Sequence, residues 1–199
     1  MLAAFLPALA MAAAAVPNLG VLHQYASVTL SPDGKQIAAV ETVRQPYATT
    51  EQHGAVVIRS SDGAILARLD PCGKCKYDGV KWSPDGTRIA FTASADGVAT
   101  LYGATPNPTQ KGSFVPYEIV ALKGLLAIPR WSPDGRSVAV LATAGAHKET
   151  GAVQAGAREV GEIGATDDFQ RIATVAVAGG ELKFVSPDRS EERRVGKEC

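Results

Sequence analysis

The chain has 199 residues, 46% of them apolar and 20% charged, enough for one ordinary domain with its own core and too apolar for a disordered segment. Twenty basic and twenty acidic residues cancel, and no basic stripe interleaved with aromatics appears, which argues against a nucleic-acid partner.

The first 16 residues, Met1 to Val16, are almost wholly Ala, Leu, Met and Phe. A membrane span needs about 20 residues, so this run suits the apolar region of a signal peptide better. Ala10-Met11-Ala12 and Ala13-Ala14-Ala15 both offer small-x-small cleavage sites. No Lys or Arg precedes Lys35, so a basic n-region would have to lie upstream of Met1. The alternative is a buried apolar helix.

A repeated unit follows. Ser31-Pro32-Asp33-Gly34, Ser83-Pro84-Asp85-Gly86 and Ser132-Pro133-Asp134-Gly135 have serines 52 and 49 residues apart. Each is preceded by Leu30, Trp82 or Trp131 and followed by alternating apolar residues such as Ile89 and Phe91. Pro presets φ at the second turn position, Asp suits the third, and Gly supplies the positive φ that re-enters a strand. Period-two alternation on both sides predicts a half-buried hairpin around each turn. Hairpins recurring every roughly 40–50 residues are the mark of propeller blades.

Between the turns each blade is expected to carry two further strands. In the first blade these are Ala55–Arg59 and Ala64–Leu69, joined by the turn Ser60-Ser61-Asp62-Gly63. The second has Ala99–Gly103 and Tyr117–Leu122, with Thr105 to Pro116 predicted as a loop on account of Pro106 and Pro108. Lys123 to Ile128 is read as a lead-in to the third hairpin. The third blade carries an Ala- and Gly-rich insertion from Thr143 to Asp168, in which Gln154 to Glu162 has room for a helical turn or two, and resumes strand pattern at Arg171–Val177 and Leu182–Val185. The fold class is therefore all-β: an incomplete β-propeller of about three four-stranded antiparallel blades, near residues 24–71, 79–125 and 129–186.

Residues 189–199 share neither the alternation nor the turn chemistry. They resemble translated adapter sequence appended to a broken reading frame, the alternative being a charged native tail. On the first reading the natural protein continues past about Asp188.

Candidate chemistry is sparse. Cys72-Gly73-Lys74-Cys75 is a lone CxxC between two blades, with no companion ligands at zinc spacing, and reads as a short-loop disulfide or as free thiols. His23, His53 and His147 have no partner assignable from sequence. No GxSxG elbow, SxxK, HExxH, Walker loop or GxGxxG occurs, so no catalytic, cofactor or metal site is assigned. Asp33, Asp85 and Asp134 are explained as turn residues before metal ligands, and Trp82 and Trp131 as packing residues.

The apolar leader, the three SPDG units and the closing Gly179-Gly180-Glu181-Leu182-Lys183-Phe184-Val185-Ser186-Pro187-Asp188, taken together, resemble the N-terminal propeller of exported bacterial serine peptidases of the prolyl oligopeptidase family. The resemblance covers about residues 24–188. It implies a propeller that gates or positions peptides for an α/β-hydrolase domain C-terminal to it, with no integral membrane domain once the leader is removed. No residue of this chain matches that family's catalytic motifs. A periplasmic protein-binding propeller similar to that of the Tol-Pal envelope system is the alternative, and a propeller enzyme with its site on the central channel a third. Export is checked directly: N-terminal sequencing of protein matured in a Gram-negative host is expected to find the segment up to about Ala15 removed, and retention of Met1 would refute the leader.

Overall fold

The structure is a computed structural model that describes residues 20–46, 53–110, 112–146 and 169–187. The leader, residues 154–162 of the insertion, His147 and the 189–199 tail lie outside the described residues. Within them every regular element is a strand. The strands β1 (Leu22–Leu30), β2 (Gln36–Arg44), β3 (Gly54–Ser60) and β4 (Ile65–Leu69) pair antiparallel in sequence order to form the first blade. In the second, β5 (Lys76–Trp82), β6 (Ile89–Ala95) and β7 (Val98–Pro106) pair in turn with the first part of β8 (Phe114–Trp131). The remainder of β8 opens the third blade, followed by β9 (Ser137–Ala144), β10 (Arg171–Ala176) and the two-residue β11 (Lys183–Phe184). Antiparallel neighbours in sequence order need no crossover, so short turns join most of them, the longest connection being the one between β9 and β10.

Strand β8 corrects two sequence expectations. The loop expected over Thr105 to Pro116 shrinks to residues 107–113, because Thr105 pairs with Val115 and Ala104 with Pro116. Pro116 is tolerated there because this half of β8 is the outer edge of its blade, pairing with β7 alone, where a missing N–H breaks no ladder. Lys123 to Ile128 is likewise strand and not lead-in: Val98 pairs with Lys123, and the next residue, Gly124, pairs with Ala144 of the next blade. One 18-residue strand thus serves as the last of one blade and the first of the following one.

The crossing point is Gly124, at φ 131°. Its N–H bonds to Gly97 O, and Lys123 O accepts from Gly145 N. A Cβ there would lie 2.1 Å from Thr143 O, a distance no side chain can occupy.

The innermost strands share a feature that sequence reading missed. Each carries a bulge in which two residues face one: Ser27-Val28 opposite Ala39, Gly79-Val80 opposite Phe91, and Ile128-Pro129 opposite Val140. The first bulge residue always stands four positions before the turn serine and always adopts left-handed φ, 52° at Ser27, 66° at Gly79 and 51° at Ile128. A bulge with its first residue in that region sharpens the local twist. Only one of the three is Gly, so composition hides the repeat. The bulges also meet across the blades: Ser27 Oγ accepts from Gly79 N at 2.9 Å, and Ser27 donates to Asp78.

The core is two layers between blades. Ala38, Val40, Val56 and Ile58 of the first blade meet Val80, Trp82, Ile89 and Phe91 of the second. Leu101, Ala99 and Ala90 meet Val138, Val140 and Val175 on its other side. Strand β6 is consequently buried on both faces from Ile89 to Ala93, where alternation predicted a half-buried strand. A blade lying between two others has no solvent face, and small residues at Ala90 and Thr92 meet that demand where larger polar ones would expose the second face. Gly124→Ala is expected to lower stability by about 2–4 kcal/mol through overpacking and unfavourable φ, read as a reduced urea midpoint with unchanged slope; an unaltered midpoint would refute the crossing-point role.

Candidate functional site

The three SPDG units form the same hydrogen-bonded loop. In the second blade, Gly86 N donates to Ser83 O at 2.9 Å, and Ser83 N to Arg88 O at 2.8 Å. The Ser83 hydroxyl donates to Asp85 Oδ1 at 2.5 Å and accepts from Arg88 N at 2.9 Å, while Thr87 N bonds the same carboxylate at 3.1 Å. Ser31 and Ser132 repeat the pattern with Asp33 and Asp134, at 2.7 and 2.5 Å. The glycines sit at φ 72°, 69° and 65°. Sequence reading assigns Ser, Pro, Asp and Gly to the turn, and the structure adds the serine's bonds: a small hydroxyl that donates to one residue and accepts from another joins the turn to the strand that follows. The Ser83 hydroxyl, then the Thr87 N–H, hold the Asp85 carboxyl down to about 2, and Asp33 and Asp134 are lowered by the same kind of bond.

The turns stack blade on blade. A Cβ on Gly86 would meet Pro32 Cδ of the preceding turn at a tight 3.3 Å, so glycine favours the close approach as well as the φ. Between the second and third blades, Arg88 bonds Gly135 O at 2.9 Å and lies over the Trp131 ring at 5.1 Å. Trp131 Nε1 donates to Lys81 O at 3.0 Å. Trp82 is buried edge-on to Phe114, and its Nε1 has no hydrogen-bond partner among the described residues.

At the opposite end of the first seam the blades part. A cleft of about 500 Å³ opens there between the first two blades, walled by Ala26 and Val40 from one and Tyr77 from the other, and edged by Arg44, Lys74 and Lys76. The connection from β4 to β5 forms its floor. In it Cys72 and Cys75 are joined Sγ to Sγ, with Cα atoms 5.6 Å apart. Asp70 organises that connection: its Oδ1 lies 2.8 Å from His53 Nε2 and accepts from Tyr77 OH at 2.8 Å and Gly73 N at 3.0 Å. Burial pushes the Asp70 carboxyl up, but the bonds from His53, Tyr77 and Gly73 together outweigh it and leave it below the usual range. Burial, reinforced by that neighbouring carboxylate, drives the Tyr77 hydroxyl strongly upward, so it stays a neutral donor. Tyr77 in turn accepts from Cys72 N at 3.0 Å.

His23 and His53, without partners in the sequence, both have one. His53 belongs to the Asp70 cluster. His23 Nδ1 lies 2.6 Å from Glu41 Oε1, and Arg59 bonds the other oxygen at 2.7 Å. Burial raises the Glu41 carboxyl, yet the Arg59 and His23 contacts outweigh it and hold it low. These residues stand 18 positions apart on adjacent strands, a separation with no local periodicity to reveal it. Among the described residues no group of three His, Cys, Asp or Glu side chains is placed to hold a metal ion.

Stacked four-stranded antiparallel sheets with adjoining inner strands define an open portion of a β-propeller. No protein-family model matches the chain, and no curated protein matches it in sequence. Solved structures carry the same fold at low identity. A puromycin-hydrolyzing peptidase of Mycobacterium tuberculosis is 19% identical with a TM-score of 0.52, over 83% of this chain and 24% of that one. A protein assigned as TolB in Agrobacterium tumefaciens is 19% identical with a TM-score of 0.50, over 81% of this chain and 46% of that one. The chain spans less than half the length of either.

The low Asp85 value has a pH signature. Its stabilising contribution is complete above the ordinary carboxylate value of about 4 and is lost as pH falls toward about 2. Ser83→Ala is expected to cost about 1–2 kcal/mol at pH 7, by leaving the partly buried Arg88 N–H without its hydroxyl partner, and to lose less further stability than the parent on acidification through that window. Urea midpoints at pH 7 and near 2.5 measure both; parallel acid losses in the two proteins would refute the Ser–Asp linkage.

Proposed function

We propose that this chain is the non-catalytic propeller portion of an exported serine peptidase of the prolyl oligopeptidase type, gating or positioning peptides for a hydrolase domain that follows it. The observation that carries a binding role is the open cleft between the first two blades, with an apolar wall and a cationic rim held over a cross-linked floor. A preformed concave site with a few placed polar groups is how folds present a binding function. The peptidase reading is supported by the closing segment and the leader, and is compatible with the likeness to the puromycin-hydrolyzing peptidase. The recurrent serines fit a structural role: Ser31, Ser83 and Ser132 donate to turn carboxylates, whereas a serine nucleophile needs a base aligned on it. A second reading, a periplasmic protein-binding propeller, is favoured by the likeness to TolB, which extends over a larger share of the other chain.

Fluorophosphonate labelling tests the peptidase reading. The purified 199-residue chain is expected to show no stoichiometric labelling, while the product of the uninterrupted source gene labels at a serine beyond residue 199. Labelling mapped to a serine within this chain, or a full-length product that ends in propeller blades and does not label, would overturn it.

A further inference from the structure

We propose that the cleft between the first and second blades is a binding site for acidic peptide segments, with Arg44 as the anchor for a ligand carboxylate and Lys74 and Lys76 flanking it. The whole chain is formally neutral, with 20 acidic and 20 basic residues. The described residues lining this cleft are not: three are cations, and no Asp or Glu is among them. Such a local excess in a concave site focuses the potential and attracts anions.

The nearby carboxylates are already engaged. Asp70 accepts from Tyr77 and Gly73 N and contacts His53, which leaves its charge compensated from within the floor. Asp96 lies on Lys74 at 2.6 Å, but that pair is exposed on both sides, 71% and 78%, and exposed pairs of this kind exchange readily for another carboxylate. Arg44 is different in kind. It stands at the exposed end of β2, and its side chain has no hydrogen bond or ion pair with any described residue. A guanidinium offers a planar fork of donors that matches a carboxylate two bonds at a time.

The walls fit the rest of such a ligand. Ala26, Val40 and the largely buried Tyr77 supply apolar lining beside the cations. The volume, about 500 Å³, lies within the range of roughly 300–1,000 Å³ typical of sites that enclose small ligands. The cross-linked Cys72–Cys75 floor and the Asp70 cluster fix the second wall before any ligand arrives, which reduces the ordering cost of binding. The cleft's cations alone call for an anionic ligand; only the choice of a peptide over a free small acid rests on the function proposed above. Binding here and labelling of a distant serine are separate measurements, so either can fail without the other.

The test uses the 199-residue chain, with circular dichroism confirming that each variant is folded. Calorimetric titration compares acetyl-Gly-Glu-Glu-amide, the isosteric acetyl-Gly-Gln-Gln-amide, acetyl-Gly-Gly-Gly as its free acid, and succinate. The Glu peptide is expected to bind at least about tenfold more tightly than the Gln peptide, and to weaken as salt is raised. Arg44→Glu should weaken it by at least about tenfold, while Arg68→Glu, a charge reversal on β4 outside the cleft lining, leaves it unchanged. Binding of the tripeptide acid with the same Arg44 dependence would mark a C-terminal carboxylate as the recognised group; failure of that arm alone would mark a side-chain carboxylate. Succinate binding as tightly as the Glu peptide would overturn the peptide assignment. Equal binding of the Glu and Gln peptides, or equal damage from both charge reversals, would overturn the site itself.

Discussion

A four-stranded antiparallel sheet has two faces and no interior, so a blade can bury apolar surface only against another blade. Everything else in this chain follows from that constraint. The two interblade layers hold the large buried side chains, Ile58, Phe91 and Trp82 in one and Leu101, Val138 and Val140 in the other. At about 25 cal/mol per Å² of apolar surface removed from water, these seams supply the main driving force for the fold. The hairpins need to be alike only in what they present to a seam. Accordingly the turn is repeated closely while the strand sequences are not.

The first seam is held differently at its two ends. At the SPDG end the blades stack turn on turn, with Gly86 seated close on Pro32. At the other end a disulfide-closed connection and the Asp70 cluster replace direct sheet contact, and the blades stand apart around the cleft. Polar groups gather where apolar contact stops. Asp70 and Glu41 are each compensated by a histidine and a second donor, which is what permits partly or wholly buried carboxylates beside an apolar layer.

Much of this was legible in the sequence, and the limits have physical causes. The SPDG spacing reveals three hairpins because turn chemistry is local: four residues contain the whole explanation for Pro and Gly. The strand content of Thr105 and Pro116 was missed because proline signals a loop unless the strand is known to be an edge, and edge position is a property of the assembled sheet. The bulges at Ser27, Gly79 and Ile128 were missed for a related reason, since three unlike residues adopt one conformation imposed by the twist of neighbouring inner strands. The cleft lay furthest from view. Arg44, Lys74 and Tyr77 come from different strands and connections, and only the docking of one sheet on the next sets them around one space. The Asp96-Gly97 hairpin is the exception: an Asp-Gly pair between strands was there to be read.

The uninterrupted strand from Phe114 to Trp131 gives the second and third blades a mechanical relation that the first two lack. A loop between domains stores slack, and a pull on one side straightens the loop before the other side feels it. Here the covalent backbone passes from one sheet to the next within a single residue at Gly124, already extended, with ladder bonds on both sides of the crossing. Tension applied to the third blade therefore reaches the second at once, and the ladder bonds of both are loaded in shear together. The link between the first and second blades runs through Asp70 to Cys75, a compact connection cross-linked on itself. A propeller assembled from such joints transmits force through continuous strand along one seam and through a compact cross-linked connection along the other, at the floor of the cleft.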